Sequence, residues 1–265
     1  MKLFDSAFVT VPGGLIVRGR GARRVRVSVR YGLIDRGADG LCLVDTGYGP
    51  AVTMGDGRSR MLRVYNAVLR PRLIDAHQPR SVLAAMGAKL ADVRTIVLTH
   101  FHADHVANLA DFPEARILAS GVAAKTLAEM GPARALHHGV FKELIPATVW
   151  GRISAIEDFA LKPTWTRLYN GHDLFGDGSY LALPLPGHAL GHFGLVWREA
   201  GNAVCYATDA TWALEALQQD RTARLARAVV FQDRTAAVET ENLLRAFIAE
   251  GNEVRLCHDI VPETA

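Results

Sequence analysis

The chain has 265 residues, nearly half of them apolar, with 30 Lys and Arg against 27 Asp and Glu and a formal net charge of +3. That length buries a substantial core, and so small a basic surplus spread over it argues against a nucleic-acid protein. Cys42, Cys205 and Cys257 lie in apolar runs without pair spacing, which implies no disulfide framework and reads as buried thiols in a reducing compartment.

The first residues carry Asp5 within a short, broken apolar run, wrong for a signal peptide, and no later segment approaches a membrane span. The expectation is a cytoplasmic protein acting on a small-molecule substrate, with neither nucleic acid nor membrane as partner and a homodimer left open. From Arg24 to Arg30 valines alternate with polar residues, Val25, Val27 and Val29 on one face and Arg24, Arg26 and Arg30 on the other, as in a half-buried strand. Arg18, Arg20 and Arg23 lie nearby, so the basic stripe either binds phosphates or, the reading we favour, is a solvated face that discourages edge pairing. Leu41, Cys42, Leu43 and Val44 read as a buried strand closed by Asp45, which either orients ligands from behind or caps the loop.

Residues 59–69 place Met61, Leu62, Val64, Tyr65, Val68 and Leu69 at helical spacing before Pro71, most simply a core-facing helix, alternatively a lid or a dimer contact. A second helix is predicted over 79–87, stopped by Gly87. The apolar run 93–98 then leads into Thr99-His100-Phe101-His102-Ala103-Asp104-His105. In extended chain alternate side chains face the same way, so His100 and His102 can grip one ion together, while Asp104 and His105 beyond the bend point at a second. Imidazoles with one carboxylate suit zinc, with iron, manganese or cobalt as the alternatives.

Residues 116–119 read as a short strand and 122–130 as a helix, and their order with the preceding elements argues for α/β layering. Over 131–162 the pattern weakens, as it does in lids and specificity loops. His137 and His138 lie there without partners at metal spacing and read as ordinary loop residues, with extra ligands or substrate contacts as the alternatives. Strands return at 180–185, 193–197 and 203–209, the last closing on Asp209 as the earlier strand closes on Asp45. A helix over 235–250 ends at Gly251, and a short strand at 253–259 ends in His258.

His100, His102, Asp104, His105, His188, Asp209 and His258 each sit at or just past the end of a strand-like run. With Asp45 ahead of them, these residues in this order resemble the metallo-β-lactamase superfamily, and the match runs over nearly the whole chain. The length is read as one domain over 1–265, with the weakly patterned stretch 131–162 as its lid or specificity insertion, and the resemblance implies an αββα four-layer sandwich. It implies two divalent ions, usually zinc, with His100, His102 and His188 on the first, Asp104, His105 and His258 on the second, and Asp209 bridging. The chemistry it implies is hydrolysis by a metal-bridging hydroxide, with Asp104 passing a proton to the leaving group and Asp209 essential to the pair.

Asp209 sets the chain apart from the true β-lactamases, and length and the run Pro186-Gly187-His188-Ala189-Leu190-Gly191-His192 look most like the N-acyl homoserine lactonase branch. That branch often has tyrosine where Trp212 stands, and indole offers one N–H donor but no ionisable hydroxyl. The leading expectation is therefore a lactone or another ester-like bond, against a thioester, a phosphodiester, or a mononuclear iron oxidoreductase of the sulfur-dioxygenase kind. Phe101, Trp150 and Trp212 are candidates for an apolar substrate wall, and His192 for a structural partner of the site.

Overall fold

The computed structural model describes residues 1–55, 57–166, 170–223 and 232–262. They form two compact units, the first of residues 1–10 and 26–154, the second of residues 11–25 and 155–265.

The first sheet contains β1 (Lys2–Pro12), β2 (Arg24–Asp35), β3 (Leu41–Val44), β4 (Arg72–Leu73), β5 (Val93–Val97), β6 (Arg116–Ala119) and β7 (Ile153–Ala155), in the order β4-β1-β2-β3-β5-β6-β7. β2 and β3 run antiparallel, with Leu33 opposite Leu43. β3, β5 and β6 run parallel, with Val44 opposite Val97 and Ile96 opposite Ile117. Buried Leu43, Val44, Ile96, Val97, Ile117 and Leu118 make these near-continuous apolar strands, as parallel strands covered on both faces must be. Because parallel neighbours end side by side, the turns after β3 and β5 emerge together, and those turns carry Asp45 and the histidine motif.

Short helices fill the connections of this unit: α1 (Pro50–Thr53), α2 (Arg60–Leu69), α3 (Pro79–Ala85), α4 (Ala103–Val106), α5 (Gly121–Glu129) and α6 (Pro132–His137). Ser59 and Ser120 cap α2 and α5, their hydroxyls accepting from the amides of Leu62 and Ala123. Over 131–162 the chain forms α6, two stretches of 3-10 turn and the short strand β7 before a further turn. α2 differs from the simplest expectation: Leu62 is buried, but Met61, Val64 and Val68 are 51, 53 and 73% exposed. Its apolar residues span more of the circumference than the inner face can cover.

The second sheet runs β13-β12-β11-β10-β9-β8, from β8 (Leu161–Lys162), β9 (Gly171–Asp173), β10 (Leu181–Pro184), β11 (Phe193–Glu199), β12 (Asn202–Tyr206) and β13 (Glu253–Arg255). It is antiparallel except for β12 and β13, which pair in parallel through α8 (Arg234–Ala249), preceded by α7 (Leu214–Gln218). Leu183, Leu185, Val196, Cys205, Leu244, Phe247 and Leu256 close its core. All three cysteines are buried and none is in a disulfide among the described residues, and burial pushes the Cys42 and Cys205 thiols up to about 12. Among the described residues no helix is long and apolar enough to cross a membrane.

Candidate metal centre

Each unit carries a cluster of metal-type donors. In the first, β5 ends at Val97 and the chain turns through Thr99 and His100 into α4. Asp45, fully buried and held at φ 60 at the end of β3, organises this turn. Its Oδ1 accepts from the Thr99 amide at 2.8 Å, and its Oδ2 lies 2.8 Å from both the Thr99 hydroxyl and His105 Nδ1. A carboxylate can only accept here, so Nδ1 of His105 carries the proton and Nε2 is turned outward as the donor atom.

The three imidazoles crowd together. The rings of His100 and His102 have centroids 4.6 Å apart, and those of His100 and His105 lie 3.9 Å apart. Asp104 Oδ2 is 3.6 Å from His105 Nε2. Phe101 is buried and stacks on Trp150 with centroids 5.5 Å apart. His137 and His138 lie at the end of α6, and the carbonyl of His138 sits 3.1 Å from His102 Nε2.

In the second unit, His188, Asp209 and His258 converge. Asp209 Oδ2 lies 3.4 Å from His188 Nε2 and 3.1 Å from His258 Nε2. Gly187 makes the approach of His188 possible: its φ is +124, and a Cβ there would come within 2.4 Å of the Ala237 backbone in α8. Asp209 follows Thr208, which is at φ 48, where a side-chain-bearing residue is strained. His192 is committed elsewhere, with Nδ1 2.6 Å from the Leu185 carbonyl and Nε2 2.6 Å from the Thr208 hydroxyl, and so braces this turn. Trp212 stands edge-on to His188 and His258, with centroids 6.5 and 6.1 Å away.

The donor sets fit a divalent cation. Donors held about 2.0–2.2 Å from a tetrahedral ion lie roughly 3.3–3.6 Å from one another. The 3.4 and 3.1 Å separations around Asp209 Oδ2, and the 3.6 Å between Asp104 and His105, are of that size. An uncharged hydrogen-bonded cluster would not need a carboxylate oxygen shared between two imidazoles.

Several contributors escape sequence reading. Thr99 and Thr208 act as hydroxyl partners of the site's own histidines and carboxylates, and nothing but their position beside a motif residue marks them. Cys257, read as a core thiol, brings Sγ within 4.8 Å of a His258 ring nitrogen, and its adjacency to His258 was the available signal.

A model of the metallo-beta-lactamase superfamily matches residues 25–247, most of the chain. The chain belongs to the metallo-β-lactamase superfamily. It is 32% identical over 158 residues to a probable metallo-hydrolase of Mycobacterium tuberculosis, covering 58% of this chain and 47% of that one. The chain thus spans about half the length of the curated relatives it matches. Among solved structures, an N-acyl homoserine lactone hydrolase with N-hexanoyl-L-homoserine bound at its catalytic metal centre superposes with a TM-score of 0.71 at 16% identity, over 97% of this chain and 92% of that one. A dizinc quorum-quenching lactonase, AidC, superposes with a TM-score of 0.64 at 15% identity, over 99% and 94%. The α/β fold expected for the superfamily is therefore the fold of this chain.

Proposed function

We propose that this superfamily member is a dinuclear hydrolase of ester-like bonds, with a lactone as the first substrate class. The observation that carries the proposal is Asp209 Oδ2 lying between His188 Nε2 and His258 Nε2, as a bridging carboxylate would. His100, His102 and His188 then serve one ion, Asp104, His105 and His258 the other, and Asp209 both. Zinc is the favoured metal, in keeping with the imidazole and carboxylate donors and with a dizinc relative in fold. Two bound divalent ions would supply an activated water and a Lewis acid for the substrate carbonyl.

The chain's own residues supply the rest. Asp104 would take up the proton released by the attacking water and pass it to the leaving alkoxide, a role Trp212, without an ionisable hydroxyl, cannot fill. Trp212 contributes an indole donor and an apolar edge, and Trp150, backed by the buried Phe101, makes the second apolar wall and sets specificity. The activity is expected in the cytoplasm, on a small molecule.

Metal analysis of the purified protein, with turnover of an acyl homoserine lactone, an aryl ester, an acyl thioester and a phosphodiester, tests the reading, with His102→Ala and Asp209→Ala as controls. Two equivalents of metal and lactone or ester turnover, lost at least ~1,000-fold in both variants, is the expected result. Preferred turnover of the thioester or phosphodiester would replace the substrate class. One equivalent of iron without hydrolysis would overturn the proposal.

A further inference from the structure

We infer that the C-terminal cap of α6 is a positioning device for a metal ligand: the His138 carbonyl fixes the tautomer and direction of the His102 ring. The inference rests on the metal-binding reading of His102 proposed above.

The His138 carbonyl oxygen lies 3.1 Å from His102 Nε2. A carbonyl only accepts, so Nε2 carries the proton and the ring's lone pair is on Nδ1. The carbonyl is delivered by a closed helix end. Val140 N–H donates to the Ala135 carbonyl at 3.0 Å and Gly139 N–H to the Leu136 carbonyl at 2.9 Å, the paired bonds of a Schellman cap. Gly139 occupies the left-handed position at φ +72. A Cβ on Gly139 would fall 2.7 Å from His102 Nε2 and 2.9 Å from its Cδ2, so the cap and the ring meet where a side chain has no room.

A cap that merely ended α6 would not need this contact, and the chain provides the comparison. α3 ends in the same way, with Ala88 N–H bonded to the Leu83 carbonyl at 2.9 Å and Gly87 N–H to the Ala84 carbonyl at 3.0 Å. Gly87 has φ +74, yet a Cβ there meets nothing within 4 Å. Gly87→Ala and Gly139→Ala thus carry the same left-handed penalty, and only the second displaces the carbonyl from His102. Outer partners of metal-bound histidines typically change metal affinity 10–100-fold, the size expected here.

The test is zinc affinity by chelator competition for wild type, G87A and G139A, alongside long-range ¹H–¹⁵N spectra of the histidine rings in the zinc-loaded wild type. Zinc binding 10–100-fold weaker in G139A than in G87A, with His102 protonated at Nε2, is the expected result. Equal affinities in folded G87A and G139A would overturn the inference while leaving the metal site standing. If G139A does not fold, the wild-type spectrum decides: zinc on His102 Nε2 overturns the inference, and a proton there supports it. A wild type that binds no zinc, iron, manganese or cobalt would overturn the metal reading itself, and this inference with it.

Discussion

Asp45 shows how much one buried side chain can arrange. Its two oxygens serve the Thr99 amide, the Thr99 hydroxyl and His105 Nδ1, so one carboxylate sets both the turn and the orientation of a donor six residues further into the motif. Asp45→Asn keeps the shape and the tolerance for a left-handed backbone but puts an NH2 where one acceptor stood, facing a donor. The expected outcome is a loss of about 1–3 kcal/mol of stability and roughly 10–100-fold weaker metal binding, read by thermal denaturation and chelator competition; unchanged metal affinity would deny Asp45 its orienting role. The donor types and their order were legible in the sequence. Which ring nitrogen each histidine presents was not, because that depends on partners such as the His138 carbonyl, a backbone group that leaves no signature in residue identity.

Among the elements, those with a strong period and a clear stop could be read closely: β5 from its apolar run, α2 from its spacing and Pro71, α8 from its spacing and Gly251. β1 could not, since Asp5 and Ser6 break its apolar pattern. Both have partners across the sheet, Asp5 in an ion pair with Arg30 at 2.9 Å, Ser6 donating to the Val29 carbonyl and accepting from the Tyr48 amide. Tertiary pairing outweighed local pattern there. α2 carries the opposite lesson, an apolar pattern wider than its buried face. Leu62→Ala should cost about 2–5 kcal/mol by emptying a filled site, whereas Val64→Ala and Val68→Ala should stay within about 0.5 kcal/mol. Chemical denaturation of the three variants measures this, and a large loss at Val68 would mean that another surface covers α2 in solution.

For the molecule as a whole, acid is the informative variable. Burial opposes ionisation of Asp173, but Lys162 at 2.5 Å and the amides of Gly178 and Gly176 outweigh it and hold the carboxyl below its usual range. Arg255, then the Trp197 indole, do the same for the exposed Glu199. A carboxyl whose pKa is lower folded than unfolded stabilises above its unfolded value, about 4, and that contribution is lost as pH falls through the folded value. Asp173→Asn should therefore lower Tm at pH 7, by about 1–3 kcal/mol of stability, with the gap to wild type closing below about pH 4. Melts across pH check this, and a gap that persists undiminished at pH 3 would assign the loss to packing rather than charge.

The interleaving of the two units has a consequence for synthesis on the ribosome. Residues 11–25 belong with residues 155–265. Arg18 N–H donates to the Arg221 carbonyl at 2.6 Å, and Arg20 pairs with Glu215 at 2.9 Å, 195 residues further along the chain. At about 5–20 residues per second, Arg20 waits roughly 10–40 s for its counter-ion to emerge. Through that interval an arginine-bearing stretch is held outside any finished structure, available to nascent-chain chaperones, and a message cut short before Glu215 leaves it so permanently.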